Sequence, residues 1–258
     1  MLELGGCGSV KKIFILGFPH SGTSILKRII GNAPEVHEHP YETNAIKPEI
    51  AATAAANGKQ AVVIKDINFP WLPSYAIPGD VPRLAAEFKE YLVENAPALF
   101  IMVIKNPADI FGSFNRRFGA SGPDARPPGH RFAEWETWAA VFALFRSAPQ
   151  ANLYTIRYEE FFADRHSKIS EMFGFLDLPF DPSLLQSDRP SLIVESVAAV
   201  PNDEPGSRAD GDGHGQFRTW QINQPVRDMT GESAVHLDDQ TRAEIAASVM
   251  ATRLGYAP

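Results

Sequence analysis

An α/β fold, a single domain with a central parallel β-sheet flanked by helices, is predicted by three features of the chain. Short, continuously apolar runs alternate with helical patterns; the first run opens through a glycine-containing turn into a helix; and a later run ends on a cation just before a sharply marked helix start. Unbroken hydrophobicity suits strands covered on both faces. Strands that alternate with helices imply right-handed crossovers and parallel pairing.

In chain order, strands are expected at Ile13 to Leu16, Ala61 to Ile64, Leu99 to Ile104 and Leu153 to Ile156. Helices are expected at Ser24 to Ile30, Asn44 to Ala56, Arg83 to Glu94, Pro107 to Phe118 and Phe132 to Phe145, with a closing helix from Asp238 to Leu254 stopped by Gly255. Asn106 reads as the N-cap of the helix that follows Ile104, with Pro107 at its first position, where a missing N–H costs nothing. Gly119 to His130 and Pro201 to Gly215, dense in Gly, Pro and polar residues, read as mobile loops, and residues 1–10 as a flexible leader.

With 258 residues, 44% of them hydrophobic, the chain can bury one substantial core. A net charge of -7 argues against a general nucleic-acid or anionic-membrane binder, so any anionic ligand must be held by local donors. The lone cysteine, Cys7, cannot form an internal disulfide, and Gly5-Gly6-Cys7-Gly8 matches a lipidation signal only superficially. Neither a signal peptide nor an apolar run of membrane-spanning length is recognised, so a cytoplasmic location is expected. The oligomeric state is left open.

The loop after the first strand reads Gly17-Phe18-Pro19-His20-Ser21-Gly22-Thr23-Ser24. Its spacing matches a Walker A loop, but Thr23 stands where that motif carries the lysine that reaches the β- and γ-phosphates. A loop that keeps the cradle and lacks the lysine is suited to one terminal phosphate and poorly equipped to cleave ATP, which counts against a P-loop kinase. Pro19 and Gly22 shape the turn; backbone N–H groups around Ser21 to Ser24 and the Thr23 and Ser24 hydroxyls can surround an anion at the helix N-terminus. Taken alone, the loop serves equally as a strand-to-helix turn with Ser and Thr as caps.

A second constellation favours the anion. In Ile104-Lys105-Asn106-Pro107, a buried strand ends on Lys105, and Ser113 follows two helical turns beyond Asn106, on the same face as the helix start. Lys105 and Ser113 can therefore converge on one ligand.

Together these segments resemble the sulfotransferases that use 3′-phosphoadenosine 5′-phosphosulfate (PAPS), in a bacterial-type form. Phe18 to Ser24 is similar to that family's 5′-phosphosulfate loop, the segment from Lys105 to Ser113 to its 3′-phosphate motif, and Arg157-Tyr158-Glu159-Glu160 to its strand ending in Tyr-Glu-Asp/Glu. The segment from Ile169 to Phe180 also looks familial, so the resemblance runs from about residue 11 to about residue 185. It implies that Pro19, Ser21, Gly22, Thr23 and Ser24 hold the donor's 5′-phosphate, that Lys105 and Ser113 hold its 3′-phosphate, and that Tyr158 lies beside the adenine.

The same resemblance implies catalytic roles. His20 occupies the place of the usual Lys or Arg, where a protonated imidazole could stabilise the leaving oxygen. Glu42 aligns best with a glutamate base, and Glu38 second. Lys65 could orient the base or reach the sulfuryl oxygens, or equally form a salt bridge with Asp66 or another neighbour. Gly215 to Pro225 is similar to a segment that closes over the donor, which would bring Arg218 to the 3′-phosphate, although Gly231-Glu232-Ser233 lacks the aromatic and cation that relatives often carry.

No metal is expected: His37 and His39 are not completed by a further His or Cys cluster. Trp135 and Trp138 fit core packing at helical spacing, with Phe132 or Trp135 the alternative lining of an acceptor pocket. The implied reaction is sulfuryl transfer from PAPS to a hydroxyl of a small molecule or carbohydrate, releasing adenosine 3′,5′-bisphosphate. A noncatalytic PAPS- or nucleotide-binding protein is the rival reading.

Overall fold

The structure is a computed structural model that describes residues 10–42, 47–66, 80–118, 128–185 and 228–256. Residues 1–9 of the expected leader, most of the first loop, all of the second and Arg218 lie outside the described residues. Five parallel strands form one sheet in the order β2-β3-β1-β4-β5: β1 Lys11–Gly17, β2 Val36–Glu42, β3 Ala61–Asp66, β4 Leu99–Ile104 and β5 Leu153–Arg157. The helices are α1 Thr23–Gly31, α2 Pro48–Ala56, α3 Val81–Glu94, α4 Pro107–Phe118, α5 Pro128–Ser147, α6 Ser167–Phe175, α7 Asp239–Ala247 and α8 Val249–Arg253. The sheet is thus the one expected, extended by a strand.

Its alternating side chains build two cores. Phe14, Leu16, Val62, Ile64, Phe100, Met102 and Ile104 pack with Leu84 and Phe88 of α3 and with Trp135, Trp138 and Phe142 of α5. Ile13, Ile15, Val63, Ile101 and Val103 face the other way, onto Leu26, Ile29 and Ile30 of α1 and Ile169, Met172 and Phe173 of α6. The central strands are apolar on both faces because helices cover both. Trp135 and Trp138 are fully buried, which assigns them to the core.

Two elements differ from expectation. The polar stretch Val36 to Glu42 is an edge strand: it pairs with β3 at Val36, His37 and Glu38, shifts register, and pairs again at Glu42 with Lys65. Its period-2 pattern is masked by charged residues, and Pro40, which has no N–H to give a ladder, falls inside the shift. The closing helix is also broken. Ser248 is extended, accepts the Ala251 N–H, and its hydroxyl donates to Glu136 Oε1 at 2.6 Å, ending α7 and capping α8. α5 starts at Pro128, so its first turn takes the end of the segment read as loop.

The carboxyl ends of β1, β3, β4 and β5 converge on one edge, where the chain leaves β1 for α1 and β4 for α4. Open parallel sheets bind ligands there. Behind α4 lies the segment from Asp228 to Ser233, fastened by Asp109, whose carboxylate accepts the N–H groups of Gly231 (2.8 Å) and Ser233 (3.3 Å). No helix among the described residues is long and apolar enough to cross a membrane.

Gly112 permits this docking, because a Cβ there would collide with the Ser233 carbonyl. Gly112→Ala is expected to cost about 1–3 kcal/mol of stability as the segment is forced off α4. Urea denaturation reads it; an unchanged midpoint would show that the segment yields freely.

Candidate active site

The turn between β1 and α1 is built by two glycines. A Cβ on Gly17 would meet the Ser21 and Thr23 side chains and Val103, and Gly22 adopts φ 92° with the Tyr158 ring lying where its Cβ would be. Only glycine accepts both the left-handed backbone and so close an aromatic neighbour. Gly22 is the N-cap of α1, and the helix has no side-chain cap and no acidic residue in its first turn. The first-turn N–H groups, which have no intrahelical acceptor, thus meet the positive end of the dipole. Ser21 is fully buried, and among the described residues its hydroxyl has no hydrogen-bond partner. Such donors suit an anion.

Three further segments reach this turn. Ser113 of α4 and His20 are joined by a 2.9 Å hydrogen bond between Oγ and Nδ1, across 93 residues of sequence, and the His20 ring packs on Phe114 with centroids 4.1 Å apart. Lys65 Nζ, at the end of β3, donates to Ser24 Oγ at 2.8 Å. Lys105 Nζ lies over the Tyr158 ring, 4.1 Å from its centroid, a cation–π contact. His20, Ser24, Lys65, Lys105, Ser113 and Tyr158 are therefore gathered around one loop.

Burial pushes the Lys105 ammonium below the usual lysine range, while Asp109, Glu159, Asp228 and Glu232 pull it back. Its charge is held by carboxylates on α4, after β5 and on the docked segment. The Tyr158 hydroxyl accepts the Met229 N–H at 3.3 Å, and burial pushes its pKa up.

The two candidate glutamates separate. Glu42 ends β2 in register with Lys65, at the ligand edge of the sheet. Glu38 lies against Gly31 at the far end of α1, about 12 Å from Thr23 at 1.5 Å per residue. There it pairs with buried Lys27 at 3.4 Å, whose Nζ also donates to the His39 carbonyl. The structure does not bring Glu38 to the loop. Among the described residues no group of three or more His, Cys, Asp or Glu could hold a metal ion. Burial and Lys59 lower His37, and burial, Lys27 and His37 lower His39, so both favour the neutral ring.

Sequence reasoning missed Glu159 and Tyr256. Glu159 Oε1 accepts the Asn106 N–H at 2.8 Å and Oε2 accepts the Tyr256 hydroxyl at 3.0 Å. The position of Glu159 directly after Tyr158 was a usable signal; Tyr256, in the last turn, carried none.

A parallel sheet with a glycine-shaped turn after β1, and lysines at the ends of β3 and β4, defines an α/β protein whose uncapped helix start and buried cations meet at the carboxyl edge of the sheet. The sulfotransferase-domain family model matches residues 10–201, and the chain belongs to that family. Among solved structures, the sulfotransferase domain from the curacin biosynthetic pathway is 17% identical, with a TM-score of 0.53 over 96% of this chain and 99% of that one. A mouse sulfotransferase complexed with PAP is 16% identical, with a TM-score of 0.50 over 98% of this chain and 93% of that one. Both are likenesses of fold. No curated protein matches.

The buried pair Lys27–Glu38 gives a pH-dependent prediction. Burial raises the Glu38 carboxyl, and Lys27 opposes the rise. Lys27→Met leaves the carboxyl with only the weaker influence of Arg28 to offset its burial and should cost about 3–5 kcal/mol at neutral pH. A carboxyl whose folded pKa is raised disfavours folding once ionised, so the variant's deficit should shrink as pH falls through the folded and then the unfolded value. Denaturation midpoints across acidic pH read this; a deficit constant with pH would refute it.

Proposed function

We propose that the chain transfers a sulfuryl group from PAPS to a hydroxyl of a small molecule or carbohydrate, releasing adenosine 3′,5′-bisphosphate. The observation that carries this reading is the His20–Ser113 hydrogen bond, which makes one site of the loop suited to a 5′-phosphosulfate and the helix suited to a 3′-phosphate. The buried Ser21 hydroxyl, without a partner among the described residues, and the uncapped start of α1 fit an anionic group.

In this reading Pro19 and Gly22 shape the loop, closed by the Ser21 N–H donating to the Phe18 carbonyl at 3.0 Å, while the backbone donors of Gly22 to Ser24 and the Ser21, Thr23 and Ser24 hydroxyls hold the 5′-phosphate. Lys105 and Ser113 hold the 3′-phosphate, the group that distinguishes this donor from adenylyl donors. Tyr158 borders the adenine, and Arg218 joins the 3′-phosphate contacts. His20 stabilises the leaving oxygen: when the Ser113 hydroxyl donates to Nδ1, the neutral ring carries its proton on Nε2, and a protonated ring adds charge. Lys65, fixed on Ser24, supplies positive charge beside the helix start. Glu42 takes the proton from the acceptor hydroxyl, a role its register with Lys65 supports. Alignment and charge stabilisation supply the rest, as in phosphoryl transfer.

Calorimetry with adenosine 3′,5′-bisphosphate against adenosine 5′-phosphate tests the donor. The bisphosphate should bind more tightly, and Lys105→Ala should lose about tenfold to a hundredfold of its affinity; equal wild-type affinities would sink the assignment. Turnover of labelled PAPS separates an enzyme from a binding protein. It should collapse in Glu42→Gln and in His20→Ala, with partial recovery in His20→Lys.

Lys105 makes binding pH-dependent. The contribution of its charge is complete below its free-state pKa and fades as pH rises through it, earlier than for an ordinary lysine, because burial lowers that value. Lys105→Arg should hold its affinity over the same alkaline range; a parallel decline in both proteins would assign the titration elsewhere.

A further inference from the structure

We infer that Glu159 and Tyr256 are positioning residues for the anion site, acting through the corner that carries Lys105 into α4. The inference rests on the donor reading above. Lys105 ends the run of β4, and Asn106 caps α4 through its Oδ1, which accepts the Ala108 N–H at 2.9 Å. A further polar group of that corner, the Asn106 N–H, donates to Glu159 Oε1 at 2.8 Å. Asn106 is thus held by its own cap on the helix side and by Glu159 on the strand side, between the two residues assigned to the 3′-phosphate.

The second oxygen of Glu159 is fixed from the opposite end of the chain. Tyr256 donates to Oε2 at 3.0 Å, and its own N–H returns to the Ala251 carbonyl at 2.8 Å across Gly255, whose φ of 76° makes the turn possible. Arg157 Nη1 donates to the Leu254 carbonyl at 3.0 Å, tying this turn to the end of β5, and the Tyr256 ring packs near Trp135. A carboxylate with both oxygens engaged on separate elements has one orientation, and through it the last turn of the described chain sets the height of Lys105 against Ser113. Neither Glu159 nor Tyr256 is placed in contact with donor or acceptor.

The test uses the full chain with Glu159→Ala, Glu159→Gln and Tyr256→Phe. Calorimetry with adenosine 3′,5′-bisphosphate and with adenosine 5′-phosphate is joined to hydrogen exchange at the Asn106 amide and to melting temperature. Glu159→Ala and Tyr256→Phe should weaken bisphosphate binding about threefold to tenfold, the share of one hydrogen bond. Monophosphate binding should stay unchanged, and Asn106 exchange should quicken. Glu159→Gln should recover most of the loss, since its Oε1 still accepts the Asn106 N–H and its amide can donate to the Tyr256 oxygen.

A Gln variant as weak as Ala would make the effect one of charge and overturn the inference. So would unchanged Asn106 exchange in Glu159→Ala, or an equal loss for both ligands with a lowered melting temperature. Wild-type protein that binds both nucleotides alike would sink the donor reading and the ligand half of this inference with it; Asn106 exchange would still decide whether Glu159 holds the corner.

Discussion

The Tyr158 ring lies against the bare Cα of Gly22, and the rest of the site is arranged around that contact. It requires a residue without a Cβ, in a left-handed conformation, at the entry to α1. The opposite face of the problem is set by sheet order: β1 and β4 are neighbours, and β4 and β5 are neighbours, so the loop, the α4 corner and Tyr158 leave three adjacent strand ends. Lys105 then rests on the same ring. One aromatic side chain thus sets the distance between the uncapped start of α1 and the Lys105 ammonium.

Electrostatics follow from that crowding. A chain of net charge -7 has no broad positive field with which to attract an anion, so its cations must be local and already paid for in folding. Lys105 is buried, which weakens its hold on the proton, and four carboxylates offset that loss. The same carboxylates would oppose an incoming phosphate, so the site's net attraction depends on the N–H groups at the α1 start and on Lys65 as well as on Lys105. Two of the four, Asp228 and Glu232, belong to the segment fastened by Asp109, which links that attraction to how closely the segment docks.

Much of this was legible in the sequence, for a physical reason. β1, β3 and β4 are buried on both faces and must be continuously apolar, which marks them without any alignment, while β5, at the sheet's edge, is marked by its two buried positions, Leu153 and Ile156. The Asn106–Pro107 start was visible because caps and prolines act locally. β2 was not, because an edge strand need not be apolar and its polar residues resembled a catalytic stretch. The break at Ser248 depends on a bond to Glu136, 112 residues away, and the His20–Ser113 contact spans 93. The placement of Glu38 is a matter of helix length: the strand carrying it runs beside the end of α1 farthest from the loop, and local pattern holds no record of that. Position along β2, not residue type, separates Glu38 from Glu42.

His20 is the departure from the family pattern, and its backbone offers a reason for it. The residue sits at φ 66°, a region that costs a side-chain-bearing residue about 1–3 kcal/mol and that His occupies more readily than most. A lysine at the same point would carry at least that backbone cost, and its long flexible chain would lose more conformational freedom to reach one place. The shorter imidazole is fixed instead by two contacts, Ser113 on one edge and the Phe114 ring on one face. That rigidity is gained at the expense of constancy of charge, because imidazole alone among the side chains ordinarily changes charge near neutrality. Position and orientation are therefore secured by α4, and under the proposed function the cationic character that a lysine would bring permanently would depend on the surroundings, since an anion held between α1, Lys65 and Lys105 would favour the protonated ring.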